Sequence, residues 1–267
     1  MTDMQDPDLQ KVNKKRLVGL PFNRMIPNIL TLLALCAGMT AMRYSLQGQW
    51  EKAVFAILVA AVLDGLDGRI ARLLKGATKF GAELDSLSDF ISFGVAPAFM
   101  LYLWSMQEAG RFGWILVLLY GVCCALRLAR FNTMLEEHTL PSWAYNFFSG
   151  TPAPASAGLV LLPMIISFQI GDDIFRRVEV VSFFLISVSA LMVSRIPTYS
   201  FKKFHIRPEW ILPTMLVVGL LAALTVSAPW LMLSVILVLY LASIPLSIRS
   251  FQVLRKRAGE RPARPSA

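Results

Sequence analysis

Residues 60–94, with the sequence AAVLDGLDGRIARLLKGATKFGAELDSLSDFISFG, place four aspartates between two apolar stretches. Apolar residues lead in from position 53 and lead out from position 90. One charged side chain at the centre of a membrane costs about 2.5–3.5 kcal/mol, so four uncompensated carboxylates would cost ~10 kcal/mol or more. The segment therefore predicts that a cation neutralises these side chains, which are Asp64, Asp67, Asp85 and Asp89.

The spacing of the aspartates predicts two facing pairs. Asp64 and Asp67 are i,i+3 neighbours, whereas Asp85 and Asp89 are i,i+4 neighbours, so on helices each pair projects from one face. Two such faces form an all-oxygen site, which hard divalent cations such as Mg²⁺ and Mn²⁺ prefer. Zinc is not favoured, because the histidines and cysteines show no paired ligand spacing. We expect one or two metal ions that handle a phosphorylated substrate.

A less specific interpretation is that the aspartates lie in a solvated turn between two membrane helices. Small residues beside the acids argue against it. Gly68 continues the Asp64 face four residues later, and Gly81 precedes Asp85 by four residues. Glycine at such positions lets a backbone and a ligand approach closely.

The aspartates belong to a longer pattern, D-x2-D-G-x2-A-R-x8-G-x3-D-x3-D, which this chain matches without a gap. The pattern resembles that of the CDP-alcohol phosphotransferases. Three further stretches resemble the phosphatidylserine synthase branch of that family, and the resemblance covers most of residues 20–250. These stretches are PNILTL from Pro27, ALRLARFN from Ala125 and FFSGTPAPASA from Phe147.

The resemblance implies roles for individual residues. Asp64 and Asp85 would bridge two metal ions, and Asp67 would complete the first metal site. Asp89 would contact the second metal and act as the general base for the incoming hydroxyl. The alternative for Arg72 is that it is a structural partner of the aspartates, although its planar fork suits a pyrophosphate. The residues that would contact the CDP moiety are Asn28, Thr31, Gly68, Arg72 and Thr78.

Recognition of the acceptor alcohol requires residues outside this pattern. Arg127, Arg130 and Asn132 are clustered near the end of an apolar stretch, and an arginine could bind the carboxylate of serine. Positive-inside anchoring explains the two arginines equally well from the sequence.

The composition is that of an integral membrane protein, because 56% of the 267 residues are hydrophobic. We expect an all-α fold with about eight transmembrane helices, and seven if one apolar run lies in the interface. A basic segment at 1–26 and a disordered basic tail at 249–267 would flank a catalytic domain at 27–248. The predicted spans are 27–46, 53–73, 85–106, 112–130, 153–170, 180–198, 209–226 and 229–248.

The basic residues predict the orientation in the membrane. With a cytoplasmic N-terminus, 21 of the 26 Lys and Arg residues fall on the cytoplasmic side of these eight spans. That bias predicts an inner-membrane protein with both termini and the aspartates on the cytoplasmic side. The net charge of +9 is dispersed over flanking loops, so we expect anionic lipids and no nucleic acid as partners.

Together, the residues and the resemblance imply transfer of a phosphatidyl group from CDP-diacylglycerol to L-serine, with Mg²⁺ or Mn²⁺ as cofactor and a homodimer as the assembly. One alternative is the same chemistry with choline, glycerol 3-phosphate or inositol phosphate as the acceptor. An alternative from another class is a divalent-cation transporter with intramembrane carboxylates along its ion path. Such a path gives no reason for an arginine beside its acids.

Overall fold

The computed structural model describes residues 22–74, 78–136, 147–194, 197–199 and 223–259. Helices account for nearly all of them, as the sequence predicts. The α-helices are α1 (Phe22–Leu46), α2 (Trp50–Leu73), α3 (Lys79–Asp89), α4 (Ala96–Trp104), α5 (Gly110–Glu136), α6 (Ala153–Ile170), α7 (Asp172–Phe175), α8 (Val178–Val193) and α9 (Pro229–Gly259).

Helices α1 and α2 form a hairpin that packs along most of its length. The connection is tight, because Gly48 adopts a positive φ of 69° that glycine tolerates at a helix C-terminus. The amides of Gln47 and Gly48 bond back to the last turn of α1. The α3–α4 segment packs against α1 and α5, and α8 packs against α5 and α6.

A π-helical turn at Phe90–Val95 joins α3 to α4, so the chain remains helical from Lys79 to Trp104. The amide of Ala96 bonds to the carbonyl of Ile91, five residues earlier. Pro97 has no N–H to offer the carbonyl of Phe93, four residues before it, and this explains why regular α-helix is interrupted here. The predicted span at 85–106 therefore begins earlier, after the N-cap Thr78.

Among the described residues, four helical stretches are long and apolar enough to cross a membrane: Met25–Leu46, Lys79–Trp104, Met106–Thr133 and Ala153–Ile170. The predicted span at 53–73 is a helix but is not among them, because Asp64, Asp67, Arg69 and Arg72 fall in its second half. The predicted spans at 180–198 and 229–248 coincide with shorter apolar stretches, Val178–Val193 and Pro229–Pro245. The span at 209–226 lies outside the described residues except for 223–226.

The outer surface of the helices is apolar, as expected for lipid contact. On α5, Ile115, Leu118, Val122 and Leu126 are each about half exposed and follow one another at helical spacing. A soluble protein rarely exposes such a continuous apolar stripe. The opposite side of α5, including the fully buried Tyr120, faces the protein core.

Two parts of the structure differ from what the sequence predicts. Strands β1 (Phe147–Ser149) and β2 (Pro197–Tyr199) pair in antiparallel register, so the predicted span at 180–198 ends early as a helix. Ser194 at the C-cap is already extended, and Pro197 has no N–H with which a continued helix could bond to the carbonyl of Val193. Helix α9 continues to Gly259, so the predicted disordered tail is helical over 249–259. Its arginines, lysine and leucine are good helix formers, and cations stabilise a helix C-terminus.

Candidate functional site

The site lies where the C-terminal half of α2 faces α3. One carboxylate oxygen from each of Asp64, Asp67 and Asp85 lies within 4.8 Å of those from the other two. Asp89 joins this group through a side-chain hydrogen bond with Asp64. The four predicted residues therefore come together, with Asp89 at the edge of a three-carboxylate cluster.

Helix α1 holds this cluster from the side. Thr31 donates a hydrogen bond of 2.7 Å from Oγ1 to Oδ2 of Asp67, and both side chains are about 96% buried. Ser88 of α3 donates to the backbone carbonyl of Thr31 at 3.1 Å. These two bonds connect α1 to both acid-bearing helices, so Thr31 fixes the orientation of Asp67 in addition to its predicted contact with CDP.

A cavity of about 240 Å³ opens beside the cluster, between α1, α2 and the start of α3. Asp67 and Asp85 lie on its wall, so a ligand inside it would reach the carboxylates. All five residues that were predicted to contact the CDP moiety line this cavity: Asn28, Thr31, Gly68, Arg72 and Thr78.

The two glycines of the aspartate pattern that line the cavity differ in how much space a side chain would have. A Cβ on Gly81 would lie 2.8 Å from Oδ1 of Asn28, so a larger residue there would force the Asn28 side chain to shift from its place on the cavity wall. A Cβ on Gly68 would meet no atom within 4 Å and would instead occupy cavity space. Gly68 is therefore not required by packing within the described chain, which favours a role in making room for a ligand.

Arg72 and Thr78 are oriented by local hydrogen bonds. The Nε of Arg72 donates to the carbonyl of Gly68 at 2.9 Å, which leaves its terminal guanidinium nitrogens for a ligand. Thr78 caps α3 and accepts a 3.0 Å bond from the amide of Gly81. The structural alternative for Arg72 receives no support, since the ion pairs within the described residues do not include it.

The three predicted acceptor residues fall into two groups. Arg130 donates from Nη1 to the carbonyl of Val193 at 2.8 Å, and Asn132 donates to Oγ of Ser86 at 2.8 Å. Arg127 makes no hydrogen bond or ion pair anywhere in the described chain, yet it is close enough to Asp64 and Asp89 to interact electrostatically. Of the three, Arg127 is the one whose guanidinium is not hydrogen-bonded within the described residues.

Sequence reasoning missed some residues at the site. Ala82 lines the cavity, and its small size beside Gly81 was an available signal. Tyr120 of α5 is fully buried and donates to the carbonyl of Phe93 at 3.0 Å. A tyrosine within an apolar span needs a hydrogen-bond partner, but the sequence does not identify which one.

The donor set fits a hard divalent cation. The cluster offers only carboxylate oxygens, three of them close enough to share one ion, and Asp89 stands beside Asp64 for a second. Among the residues that the structure describes, no histidine or cysteine, the ligands that favour zinc, belongs to the cluster. Carboxylates in this number, all of them partly or fully buried, need a cation to balance their charge.

Comparison with known proteins gives the same assignment as the site. Residues 24–198 match the family model described as CDP-alcohol phosphatidyltransferase, and residues 209–245 match one described as CDP-alcohol phosphatidyltransferase 2. A protein of Mycobacterium bovis named CDP-diacylglycerol–serine O-phosphatidyltransferase is 39% identical over 88% of this chain and 84% of its own length.

Proteins with the same name from Helicobacter pylori and Bacillus subtilis are also similar. The first is 35% identical over 83% of this chain and 91% of its own length. The second is 33% identical over 67% of this chain and 92% of its own length. The resemblance predicted from the aspartate pattern is thereby confirmed. The chain belongs to the CDP-alcohol phosphatidyltransferase family.

Proposed function

We propose that this protein transfers the phosphatidyl group of CDP-diacylglycerol to the hydroxyl of L-serine, giving phosphatidylserine and CMP. The relatives named above support the substrates. The observation that carries the proposal is the cavity whose wall includes all five predicted CDP contacts and two carboxylates of the cluster. Family membership gives no support to the cation-transporter alternative.

The cavity residues bind and orient the donor. The free guanidinium nitrogens of Arg72 bind pyrophosphate oxygens, and Gly68 leaves space for them beside α2. Asn28 and Thr78 supply polar groups from the other walls. This arrangement holds the phosphorus that carries the diacylglycerol next to the carboxylates, so that attack and departure can occur in line.

The carboxylates hold the cofactor, for which we propose Mg²⁺ or Mn²⁺. Asp64, Asp67 and Asp85 would share one ion, while Asp64, Asp85 and Asp89 would hold a second. When bound, such ions neutralise charge on the pyrophosphate and on the departing CMP. Thr31 keeps Oδ2 of Asp67 in a fixed orientation through its hydrogen bond.

The acceptor reacts on the α5 side of the cluster. Arg127 binds the carboxylate of serine, and Asp89 accepts the proton of its hydroxyl. The serine oxygen forms a bond to the phosphorus that carries diacylglycerol. The bond from that phosphorus to the bridging oxygen breaks, and its electron pair leaves with CMP. Arg130 and Asn132 support this region through their bonds to Val193 and Ser86.

The location and assembly complete the proposal. The bias of basic residues favours the inner (cytoplasmic) membrane of the cell, with about eight spans and with both termini and the site on the cytoplasmic side. Residues 27–248 form the catalytic domain, and the family resemblance implies a homodimer. Anionic lipids are the expected partners of the basic loops.

The direct test is the release of CMP by the purified protein. CDP-diacylglycerol and Mn²⁺ or Mg²⁺ are supplied with serine, choline, glycerol 3-phosphate or inositol phosphate in parallel reactions. We expect rapid release with serine and slow release with the others. Equal or faster release with another alcohol would contradict the choice of serine, and no release with any of them would contradict the phosphotransferase activity.

A further inference from the structure

We propose that Tyr120 is a positioning residue for Asp89, which it orients through the π-helical turn at Phe90–Val95. This inference rests on the proposed function, in which Asp89 accepts the proton of serine. Tyr120 lies on α5 and does not belong to the aspartate pattern, and its hydroxyl does not line the donor cavity. Within the described residues its hydroxyl makes one hydrogen bond, the 3.0 Å bond to the carbonyl of Phe93.

The first step concerns the carbonyl that Tyr120 binds. In a regular α-helix the carbonyl of Phe93 would accept from the amide of residue 97. Residue 97 is a proline and has no N–H, and Phe93 is 99% buried, so water cannot replace the missing donor. The fully buried hydroxyl of Tyr120 replaces it. Tyr120 thus satisfies the carbonyl that Pro97 leaves without its usual donor.

The second step concerns how the π-helical turn orients Asp89. In an α-helix Asp89 would share a face with Phe93, four residues later, whereas five residues per turn align it with Gly94. A Cβ on Gly94 would lie 3.0 Å from Sγ of Cys124, so this side of the turn packs directly against α5. Arg127 follows Cys124 by three residues on the same face. The π-helical turn therefore directs Asp89 toward Arg127.

Other contacts hold the opposite side of the π-helical turn against α1, but they do not affect the number of residues in the turn. Ser92 donates to the carbonyl of Ala34 at 3.2 Å, and a Cβ on Gly38 would lie 2.8 Å from Cα of Ser92. These contacts fix the distance from α1. Among the described side chains, the hydroxyl of Tyr120 is the donor that meets a carbonyl inside the turn.

The test is Tyr120→Phe, which removes the hydroxyl and keeps the ring. A small displacement of a reacting group costs turnover more than binding, so we expect kcat to fall about tenfold while KM for CDP-diacylglycerol changes less than about twofold. The matched control is Tyr102→Phe on α4, whose ring packs against Trp114 and whose hydroxyl makes no hydrogen bond within the described chain. That variant should retain wild-type kcat.

A second measurement separates this proposal from the proposed function. The affinity for Mn²⁺, measured by electron paramagnetic resonance without substrates, should fall in Tyr120→Phe. It should not fall further when Tyr120→Phe is added to Asp89→Asn, because Tyr120 acts through Asp89. An equal loss in both backgrounds, or wild-type kcat and Mn²⁺ affinity in Tyr120→Phe, would overturn the proposal. Failure of the wild type to release CMP with serine would instead overturn the proposed function, and the Mn²⁺ comparison would still decide the role of Tyr120.

A third variant covers the case in which Tyr120→Phe does not fold. Gly94→Ala leaves the hydroxyl in place but pushes the same turn against Cys124. We expect the same selective loss of kcat with a KM for CDP-diacylglycerol close to that of the wild type. Wild-type kcat in a folded Gly94→Ala protein would show that the turn does not orient Asp89.

Discussion

Thr31 donates a 2.7 Å hydrogen bond to Oδ2 of Asp67 across the interface between α1 and α2. The Asp67 carboxylate is thereby held in one orientation beside the other carboxylates of the cluster. The bond is shielded from water, since only 4% of each residue is exposed. Thr31 is therefore expected to contribute to metal binding without contacting the metal.

Replacing Thr31 with valine tests this relationship. Valine keeps the shape and loses the hydroxyl, so the Mn²⁺ concentration for half-maximal activity should rise by about tenfold, as when a group that orients a metal ligand is lost. Thr40→Val is the matched control on the same helix, because Thr40 donates only to the carbonyl of Cys36. An unchanged Mn²⁺ requirement in Thr31→Val would contradict the orienting role.

Loss of a carboxylate should lower the activity more than loss of the Thr31 hydroxyl. Asp64→Asn, Asp85→Asn and Asp89→Asn are each expected to lower the rate of CMP release by about a hundredfold or more, because electrostatic stabilisation of the transition state is lost. EDTA should abolish the activity of the wild type, and added Mn²⁺ should restore it. Circular dichroism checks that each variant is folded. Near-wild-type turnover in any folded variant would remove that residue from the proposed site.

The aspartate site could be predicted from the sequence because charged side chains in a membrane cost so much free energy that a bound cation is needed to neutralise them. Four acids at helical spacing inside apolar sequence imply a cation whatever the surrounding fold, and the structure brings Asp64, Asp67 and Asp85 within reach of one ion. The five cavity residues were predicted through the family resemblance, and all of them line the cavity.

Features that depend on distant contacts could not be predicted in the same way. Arg127 and Arg130 are indistinguishable in the sequence, and only the position of α8 shows that Arg130 is bonded to Val193. The strands at Phe147–Ser149 and Pro197–Tyr199 are too short for a pattern to reveal a pairing so distant in sequence. Pro97 indicates a break in the helix, but not that Tyr120 satisfies the carbonyl left free.

Gly68 offers a test of the donor cavity that is independent of the metal. Gly68→Ala adds a methyl group that meets no atom of the described chain, and alanine is favoured over glycine inside a helix, so the protein should be at least as stable as the wild type. The methyl group would occupy space that we assign to CDP, and KM for CDP-diacylglycerol should rise by about tenfold, the loss expected from roughly 1.4 kcal/mol of binding. Gly65→Ala is the control on the same helix, because its Cβ also meets no atom but lies outside the cavity. Equal KM values for the two variants would argue against this donor site.

The orientation in the membrane can be tested by labelling single cysteines in a variant that lacks the native ones. Lys79→Cys, at the exposed start of α3, should react with a membrane-impermeant maleimide only when the reagent reaches the cytoplasmic side. Asp173→Cys, at the opposite end of the bundle, should react only from outside. Labelling of position 79 from outside in intact cells would reverse the proposed orientation.

Arg127 provides the sharpest test of serine as the acceptor. Because Arg127 has no hydrogen bond in the described chain, Arg127→Lys should leave the fold intact while removing the bidentate geometry that suits a carboxylate. We expect KM for serine to rise by about tenfold or more and KM for CDP-diacylglycerol to stay nearly constant. Serinol, which has no carboxylate, should be a poor acceptor for the wild type. Its KM should differ little between the wild type and Arg127→Lys.

Arg130→Lys serves as the comparison, because the bond from Arg130 to the carbonyl of Val193 predicts an effect on stability and little effect on KM for serine. A lower unfolding temperature with normal serine kinetics in Arg130→Lys, together with the opposite pattern in Arg127→Lys, would assign the carboxylate to Arg127. If Arg130→Lys alone raised KM for serine, the acceptor site would lie closer to α8 than we propose. If neither variant changed it, serine would be held by other residues, whereas the donor site and the carboxylate cluster would be unaffected by that result.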